Sequence, residues 1–362
     1  MSLSELAKDL YSKNNSIQIV SSNTRCSDLP TINHLSDSGN TQLAKLEQYQ
    51  AICNSFVSDT MMVFTGMPKD DSVAAEEAGK MAETLKEFSD YGIRPVVIAE
   101  PITDWGLIDY EEFRSGFYDG WLRTYFRTLQ ESGVTDQEMG TWVPFPEPNL
   151  PYWNHANATP DDFAAIVNDY LGIMKTYFPG AKGSVLLNSA TYETDDFDWK
   201  SGEYLDLSPY VAGLKKEYID SFGIQGFPWI APAGESGEIT DAGEFINYRL
   251  AVDAAKNLGV KKIWVNTGTF SRRYTDDERK MVYVNAPQRA AIFDSILSEI
   301  LKIKNNGYSV SVNVFAEDKS KTEEACDWSY LSANNEEADR IVFRNFLNEL
   351  YQNEVGVSVF NQ

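Results

Sequence analysis

Cysteine and histidine are both scarce in this chain of 362 residues. The three cysteines, Cys26, Cys53 and Cys326, are too few for a disulfide framework, and their spacing fits no metal-binding motif. The two histidines, His34 and His155, are too few for a zinc triad. We therefore expect neither a metal nor a cofactor, and interpret His155 as a substrate-contacting or capping residue.

Basic residues are also in the minority, with 31 lysines and arginines against 54 acidic residues and a formal net charge of −23. Such a surface repels nucleic acid and anionic membranes, so we expect neither as a partner. No run of about 18 apolar residues is present, which predicts that no helix crosses a membrane. The N-terminus lacks the basic and apolar regions of a signal peptide, but a mature secreted protein would look the same. We expect a monomer that is extracellular or at the cell surface, with the cytoplasm as the alternative.

What the chain does have is a regular alternation of short apolar, β-rich runs and stretches with helical spacing. This alternation is typical of parallel strands joined by helical crossovers. Eight strands and eight helices favour a single (β/α)8 TIM barrel over residues 1–362, with a short helix at its N-terminus. An open doubly wound sheet is the alternative, but no glycine-rich phosphate turn follows the first strand. The predicted strands are 16–23, 61–67, 94–101, 140–145, 183–190, 221–227, 261–268 and 309–317, and the predicted helices are 40–57, 72–91, 109–131, 159–180, 205–219, 240–258, 286–307 and 335–352.

In such barrels the catalytic residues follow the carboxyl ends of the strands. The first and last strands are neighbours in a closed barrel, so a Cys26–Cys326 disulfide is geometrically feasible; buried free thiols are the alternative. The same rule gives a set of polar side chains at predicted strand ends, which are Asn23, Glu100, Glu147, Asn149, Asn188, Gln225, Asn266, Glu317 and Asp318.

Glu147 is the most distinctive of these residues, because it lies between two prolines directly after a strand-like run. Pro148 disfavours the α region for the residue before it, so we expect an extended backbone at Glu147. Trp142 and Trp153 are close in sequence and could lower the local polarity, which would raise the pKa of the carboxyl group toward that of a useful acid. This predicts a general acid at the end of the fourth strand. A surface glutamate in a proline-stiffened loop is the alternative.

The segment WVPFPEPNLPYWN (142–154) resembles the strand-4 region of clan A glycoside hydrolases, especially the mannanase-like family 26. FGIQGFPW (222–229) resembles the strand-6 region of that clan, and KKIWVNTGTF (261–270) resembles its strand-7 region, which is usually written with Glu-Thr-Gly. The resemblance implies a retaining mechanism with Glu147 as acid/base. It also places the nucleophile at Asn266, and an amide cannot form the glycosyl-enzyme intermediate.

Three explanations of Asn266 stay open. In the first, another carboxylate acts as the base or nucleophile: either Glu317 or its neighbour Asp318, or else Glu100. A wider separation between that carboxyl group and Glu147 would suit an inverting reaction. Alternatively the protein is a carbohydrate-binding pseudoenzyme, or Asn266 is an introduced substitution. A binding protein and a hydrolase would both use aromatic rings that stack on sugars. Both would also use polar side chains that bind the sugar hydroxyls or a charged group of the substrate. The candidates for these contacts are Trp105, Trp153, Trp229, Trp328, Asn149, Gln225, His155 and Arg272.

The sequence therefore predicts a glycoside hydrolase that acts on β-linked oligo- or polysaccharide. The alternative is a binding protein that has lost hydrolysis. A TIM-barrel enzyme of unrelated chemistry is a third possibility, but no lysine at a strand end is placed to form a Schiff base, and no phosphate-type glycine turn follows the last strands.

Overall fold

Eight parallel strands form one sheet in the computed structural model, and neighbours in space are also neighbours along the chain. The last strand lies against the first, which brings the two edges of the sheet together into a TIM barrel. The strands are β1 (Thr60–Thr65), β2 (Arg94–Ala99), β5 (Thr141–Pro144), β6 (Lys182–Asn188), β7 (Ser221–Gln225), β8 (Lys262–Thr267), β11 (Ser309–Phe315) and β14 (Gly356–Phe360). The structure describes residues 60–67, 71–90, 94–103, 106–150, 159–189, 207–227, 246–268, 272–274, 281–283, 286–315, 318–319, 326–327 and parts of 342–360.

The predicted (β/α)8 fold is confirmed, and seven of the predicted strands are present with bounds close to those expected. The strand at 16–23 and the N-terminal helix lie outside the described residues. The eighth described strand of the sheet is Gly356–Phe360, which was not predicted because the run is short and directly follows a helical stretch. Among the described strands Glu147 follows the third and Asn266 lies in the sixth. Their separation of three strands is as predicted.

Helices cover the outside of the sheet. Thr159 begins the helix Pro160–Tyr177 with a capping box, because its hydroxyl accepts from the Asp162 backbone N–H and the Asp162 carboxylate accepts from the Thr159 backbone N–H. The predicted helix 109–131 is two helices, since Gly116 takes a left-handed φ of 82° between them. The helices are Asp71–Asp90, Tyr110–Arg114, Asp119–Glu131, Pro160–Tyr177, Ser208–Ala212, Leu250–Leu258 and Ala286–Asn305, and Lys216–Tyr218 is a 3-10 turn.

The two faces of the strands have different chemistry. Trp142 of β5 points outward, where its ring packs on Phe126 and Tyr170 of the surrounding helices and its Nε1 donates to Met139 O at 3.0 Å. Trp264 of β8 points into the barrel, where its Nε1 donates to Ser184 Oγ at 2.9 Å. Side chains alternate along a strand, so Asn266, two residues after Trp264, lies on the inner face.

A second, smaller sheet is formed by strands in the chain connections that follow β8 and β11. Its four antiparallel strands are ordered β10 (Met281–Tyr283), β9 (Arg272–Tyr274), β13 (Cys326–Asp327) and β12 (Asp318–Lys319). A two-stranded hairpin of β3 (Ile102–Thr103) and β4 (Gly106–Leu107) follows β2. Both lie in connections after the carboxyl ends of barrel strands, the end where sites form in this fold.

Candidate active site at the carboxyl end of the barrel

Glu147 lies at the carboxyl end of the barrel and is 6% exposed. Its backbone N donates to Leu186 O of the neighbouring strand at 2.7 Å, and its carbonyl accepts from Leu150 N at 3.0 Å. Its φ is 54°, in the left-handed region, so the extended backbone expected before Pro148 was wrong. A non-glycine residue persists there only when its surroundings fix it, and such strained residues cluster at functional sites.

Asn149 and Asn188 hold this loop and its carboxylate in place. The Asn149 side chain donates to Asn188 O and accepts from Asn188 N, both at 2.9 Å, which ties the loop to β6. The Asn188 side chain in turn donates to Glu147 Oε1 at 2.6 Å. Trp142 plays no part in this arrangement, because its side chain packs among the outer helices; the prediction that it lies beside Glu147 was wrong.

Four amide side chains stand at one level across four adjacent strands, and we call them the amide row. Asn188 of β6 is in register with Gln225 of β7, Gln225 with Asn266 of β8, and Asn266 with Asn313 of β11. Asn188 and Gln225 are half-buried, whereas Asn266 is 1% and Asn313 5% exposed. The row begins at Glu147 and runs along the inner edge of the barrel.

Asn266 is the most deeply placed member of the amide row. Its Nδ2 donates to Gln225 Oε1, and its backbone O accepts from Gly226 N at 3.0 Å. Its side-chain oxygen Oδ1 is buried and has no hydrogen-bond donor among the described residues. A buried acceptor without a partner costs roughly 1–3 kcal/mol, and a ligand donor would recover that cost.

Tyr248 fixes the two strands that carry Gln225 and Asn266. Its buried hydroxyl donates to Gly226 O at 2.5 Å and lies 2.6 Å from Thr267 Oγ1. Burial raises the pKa of this hydroxyl well above its ordinary value, while the hydrogen bond with Thr267 acts against the rise. The phenol therefore stays protonated and acts as a rigid link between the ends of β7 and β8.

Glu100, Asp318 and Arg272 are the other predicted site residues that fall within the described part of the chain. Asp318 lies in β12, in register with Asp327 of β13. Glu100 directly follows β2, is half-buried, and its backbone N donates to Thr65 O at 2.8 Å. Arg272 lies in β9, paired in register with Asp327 of β13. The predicted residues Trp105, Trp153, His155, Trp229, Glu317 and Trp328 lie outside the described residues, as does Cys26 of the possible disulfide.

Asn313 and Tyr248 are site residues that were not predicted from the sequence. Alternation in β11 was a usable signal for Asn313, because Val310 and Val312 are buried on the outer face and leave Asn313 on the inner one. No comparable signal exists for Tyr248, whose contacts join residues 19 and 22 positions apart. In the described part of the chain, no cluster of three or more metal-ligating side chains is present and no helix is long and apolar enough to cross a membrane.

The fold and the polar carboxyl end together define a TIM barrel with one buried glutamate beside a row of amides. Solved structures that resemble it include β-glycosidases. A β-glucosidase from Thermotoga maritima in complex with deoxynojirimycin has a TM-score of 0.53 at 11% identity, over 88% of this chain and 88% of that chain. A β-glycosidase, BGL167, has a TM-score of 0.51 at 12% identity, over 89% and 90%.

A family 1 β-glucosidase from Thermotoga maritima has a TM-score of 0.50 at 11% identity, over 81% of this chain and 83% of that chain. At these identities the likeness is one of fold, and this last neighbour belongs to family 1, so the expected likeness to the mannanase-like family 26 is not confirmed. No protein-family model matches the chain, and no curated protein matches it.

Proposed function

We propose that this protein is a glycoside hydrolase acting on β-linked sugars, with Glu147 as its general acid. The observation that carries the proposal is the placement of Glu147: a nearly buried carboxyl group, on a left-handed backbone, held by Asn188 at the carboxyl end of a TIM barrel. A proton donor must keep one geometry toward the glycosidic oxygen, and packing with neighbouring hydrogen bonds provides that rigidity here.

Half-buried amides suit the rest of a carbohydrate site. Amide groups both donate and accept hydrogen bonds, as sugar hydroxyls do. Asn188 donates to Glu147, and Gln225 lies next to Asn188 on the neighbouring strand. Trp153 and Trp229 remain our predicted stacking surfaces. For the second chemical role the sequence offers Glu317 and Glu100. The fold of the β-glycosidase neighbours supports the same reaction class.

The test is release of reducing sugar from β-glucans, β-mannans, xylans and uronate-containing polymers, together with aryl β-glycosides. We expect wild-type activity on at least one of them and a loss of about 10³-fold or more in Glu147→Gln, because the amide cannot protonate the leaving group. Glu299→Gln is the matched control, since Glu299 is also nearly buried, at 9% exposed, but lies on an outer helix beside Lys302. Equal activity in Glu147→Gln and wild type would refute the assignment.

Binding without hydrolysis is the second candidate, and the state of Asn266 favours it. An amide that is fully buried and hydrogen-bonded to Gln225 is an integrated part of the barrel, at the strand position where the resemblance placed a nucleophile. A binding protein would give a calorimetric signal with oligosaccharide but release no reducing sugar. Activity that appears only in Asn266→Glu would identify a hydrolase that has lost its nucleophile.

A further inference from the structure

The amide row raises the question of which group attacks the anomeric carbon. At its level the described strands β6, β7, β8 and β11 carry Asn188, Gln225, Asn266 and Asn313. None of these side chains can form a covalent bond to a sugar. The nucleophile must therefore come from outside the row or from the substrate itself.

The unsatisfied oxygen of Asn266 indicates what the substrate contributes. Asn266 Oδ1 is a fixed acceptor, because Nδ2 of the same amide is held by Gln225 Oε1. No donor among the described residues reaches it, so a bound molecule can supply one without breaking any hydrogen bond of those residues. An amide N–H on the substrate is a suitable donor.

We propose that the substrate is a β-linked 2-acetamido sugar whose own acetamido group acts as the nucleophile that the amide row does not provide. This inference rests on the proposed function and names its substrate class. The N–H of the acetamido group donates to Asn266 Oδ1, and the same contact turns the acetamido carbonyl oxygen toward the anomeric carbon. Neighbouring parallel strands are about 4.8 Å apart, so the backbones of Asn188 and Asn266 are about 10 Å apart, room enough for a pyranose ring with its substituent.

The steps balance without any further reagent. The acetamido oxygen forms a bond to the anomeric carbon while the bond to the leaving-group oxygen breaks, and the protonated Glu147 gives its proton to that oxygen. The product is a cyclic oxazolinium ion whose N–H stays hydrogen-bonded to Asn266 Oδ1. Water then adds to the anomeric carbon, Glu147 takes the proton from that water, and the ring opens to regenerate the acetamido group with net retention of configuration.

The experiment compares 4-nitrophenyl N-acetyl-β-D-glucosaminide with 4-nitrophenyl β-D-glucoside, which has a hydroxyl at the same carbon. We expect kcat/KM to favour the acetamido substrate by about 100-fold or more, since a site that positions a substrate amide strongly rejects an analogue lacking it. Progressive fluorination of the N-acetyl group should lower kcat steeply, because it weakens the attacking carbonyl oxygen. The thiazoline derived from N-acetylglucosamine, in which sulfur replaces the ring oxygen of the cyclic intermediate, is a stable mimic of that intermediate and should inhibit competitively.

Variants separate the role of Asn266 from general damage. Asn266→Ala should lower kcat on the acetamido substrate by roughly 10- to 100-fold, the effect of one lost hydrogen bond to a developing charge. It should also flatten the response to fluorination. Asn168→Ala, which removes an amide on the outer surface, should leave both readouts unchanged.

The outcomes distinguish the two proposals. Comparable hydrolysis of both substrates, or a rate that does not respond to fluorination, would overturn the acetamido inference and leave the glycosidase intact. No hydrolysis of either substrate or of any polymer in the panel would overturn the proposed function, and the inference with it.

Discussion

Replacing Asn149 by alanine tests how the candidate site is built, independently of the substrate. The Asn149 side chain is 5% exposed and makes two hydrogen bonds of 2.9 Å, one to Asn188 O and one from Asn188 N. These bonds hold the loop that carries Glu147 against β6. Asn149→Ala removes both hydrogen bonds, so the backbone N–H and C=O of Asn188 each lose the bond to the Asn149 side chain.

The expected cost follows from the position of these bonds. Two hydrogen bonds contribute about 1 kcal/mol each, and buried groups that lose a partner add a desolvation penalty, so Asn149→Ala should lower the free energy of unfolding by about 2–4 kcal/mol. Asn168 provides a matched control. Its amide makes the same pair of bonds, to Gly213 O at 2.9 Å and from Lys215 N at 2.8 Å, but where water can replace them. Asn168→Ala should therefore cost only about 0.5–1 kcal/mol.

Guanidinium unfolding followed by tryptophan fluorescence measures both variants against wild type. Asn149→Ala should shift the midpoint clearly further than Asn168→Ala, with similar slopes in all three proteins. It should also lose glycosidase activity through misplacement of Glu147, whereas Asn168→Ala should retain it. Equal destabilisation of the two variants would show that the Asn149 bonds are not the buried clamp that the structure describes.

Two further predictions concern packing and charge. A Cβ on Gly223 would overlap the Trp264 indole, so Gly223→Ala should destabilise the protein by about 1–3 kcal/mol. Gly79 lies in a helix with open space around it, so Gly79→Ala should be neutral or stabilise the protein by up to about 1 kcal/mol. Thermal melts in which Gly79→Ala is the less stable of the two variants would contradict this prediction. The hydrogen bond from the backbone N–H of Thr159 is the main cause that lowers the pKa of the Asp162 carboxyl group below its ordinary value of 3.8. The ionised carboxylate therefore stabilises the folded protein at pH values above 3.8, and this stabilisation is lost as the pH falls through the lower pKa of the folded state. Asp162→Asn should accordingly melt below wild type at neutral pH, with a difference that shrinks in strong acid, and a difference independent of pH would refute the linkage.

Local sequence patterns determined the elements of this protein. Apolar β-rich runs alternating with helical spacing predicted the barrel, and seven of its strands appear with bounds close to those expected. Thr159 followed by Pro160 predicted the start of a helix, and a capping box is found there. These features depend on residues a few positions apart, so a linear pattern contains the information.

Tertiary structure alone decided how the site is assembled. Register between β6, β7, β8 and β11 brought the amide row to one level, and register is fixed by pairing between segments about 40 residues apart or more. The left-handed φ of Glu147 depends on the hydrogen bond from its N to Leu186 O, so the local preference before Pro148 gave the wrong backbone. The place of Gly356–Phe360 as the last strand likewise depends on contact with β1, at the other end of the described chain. Sequence by itself thus determined where most of the described strands and helices lie, and long-range pairing determined which of their side chains meet.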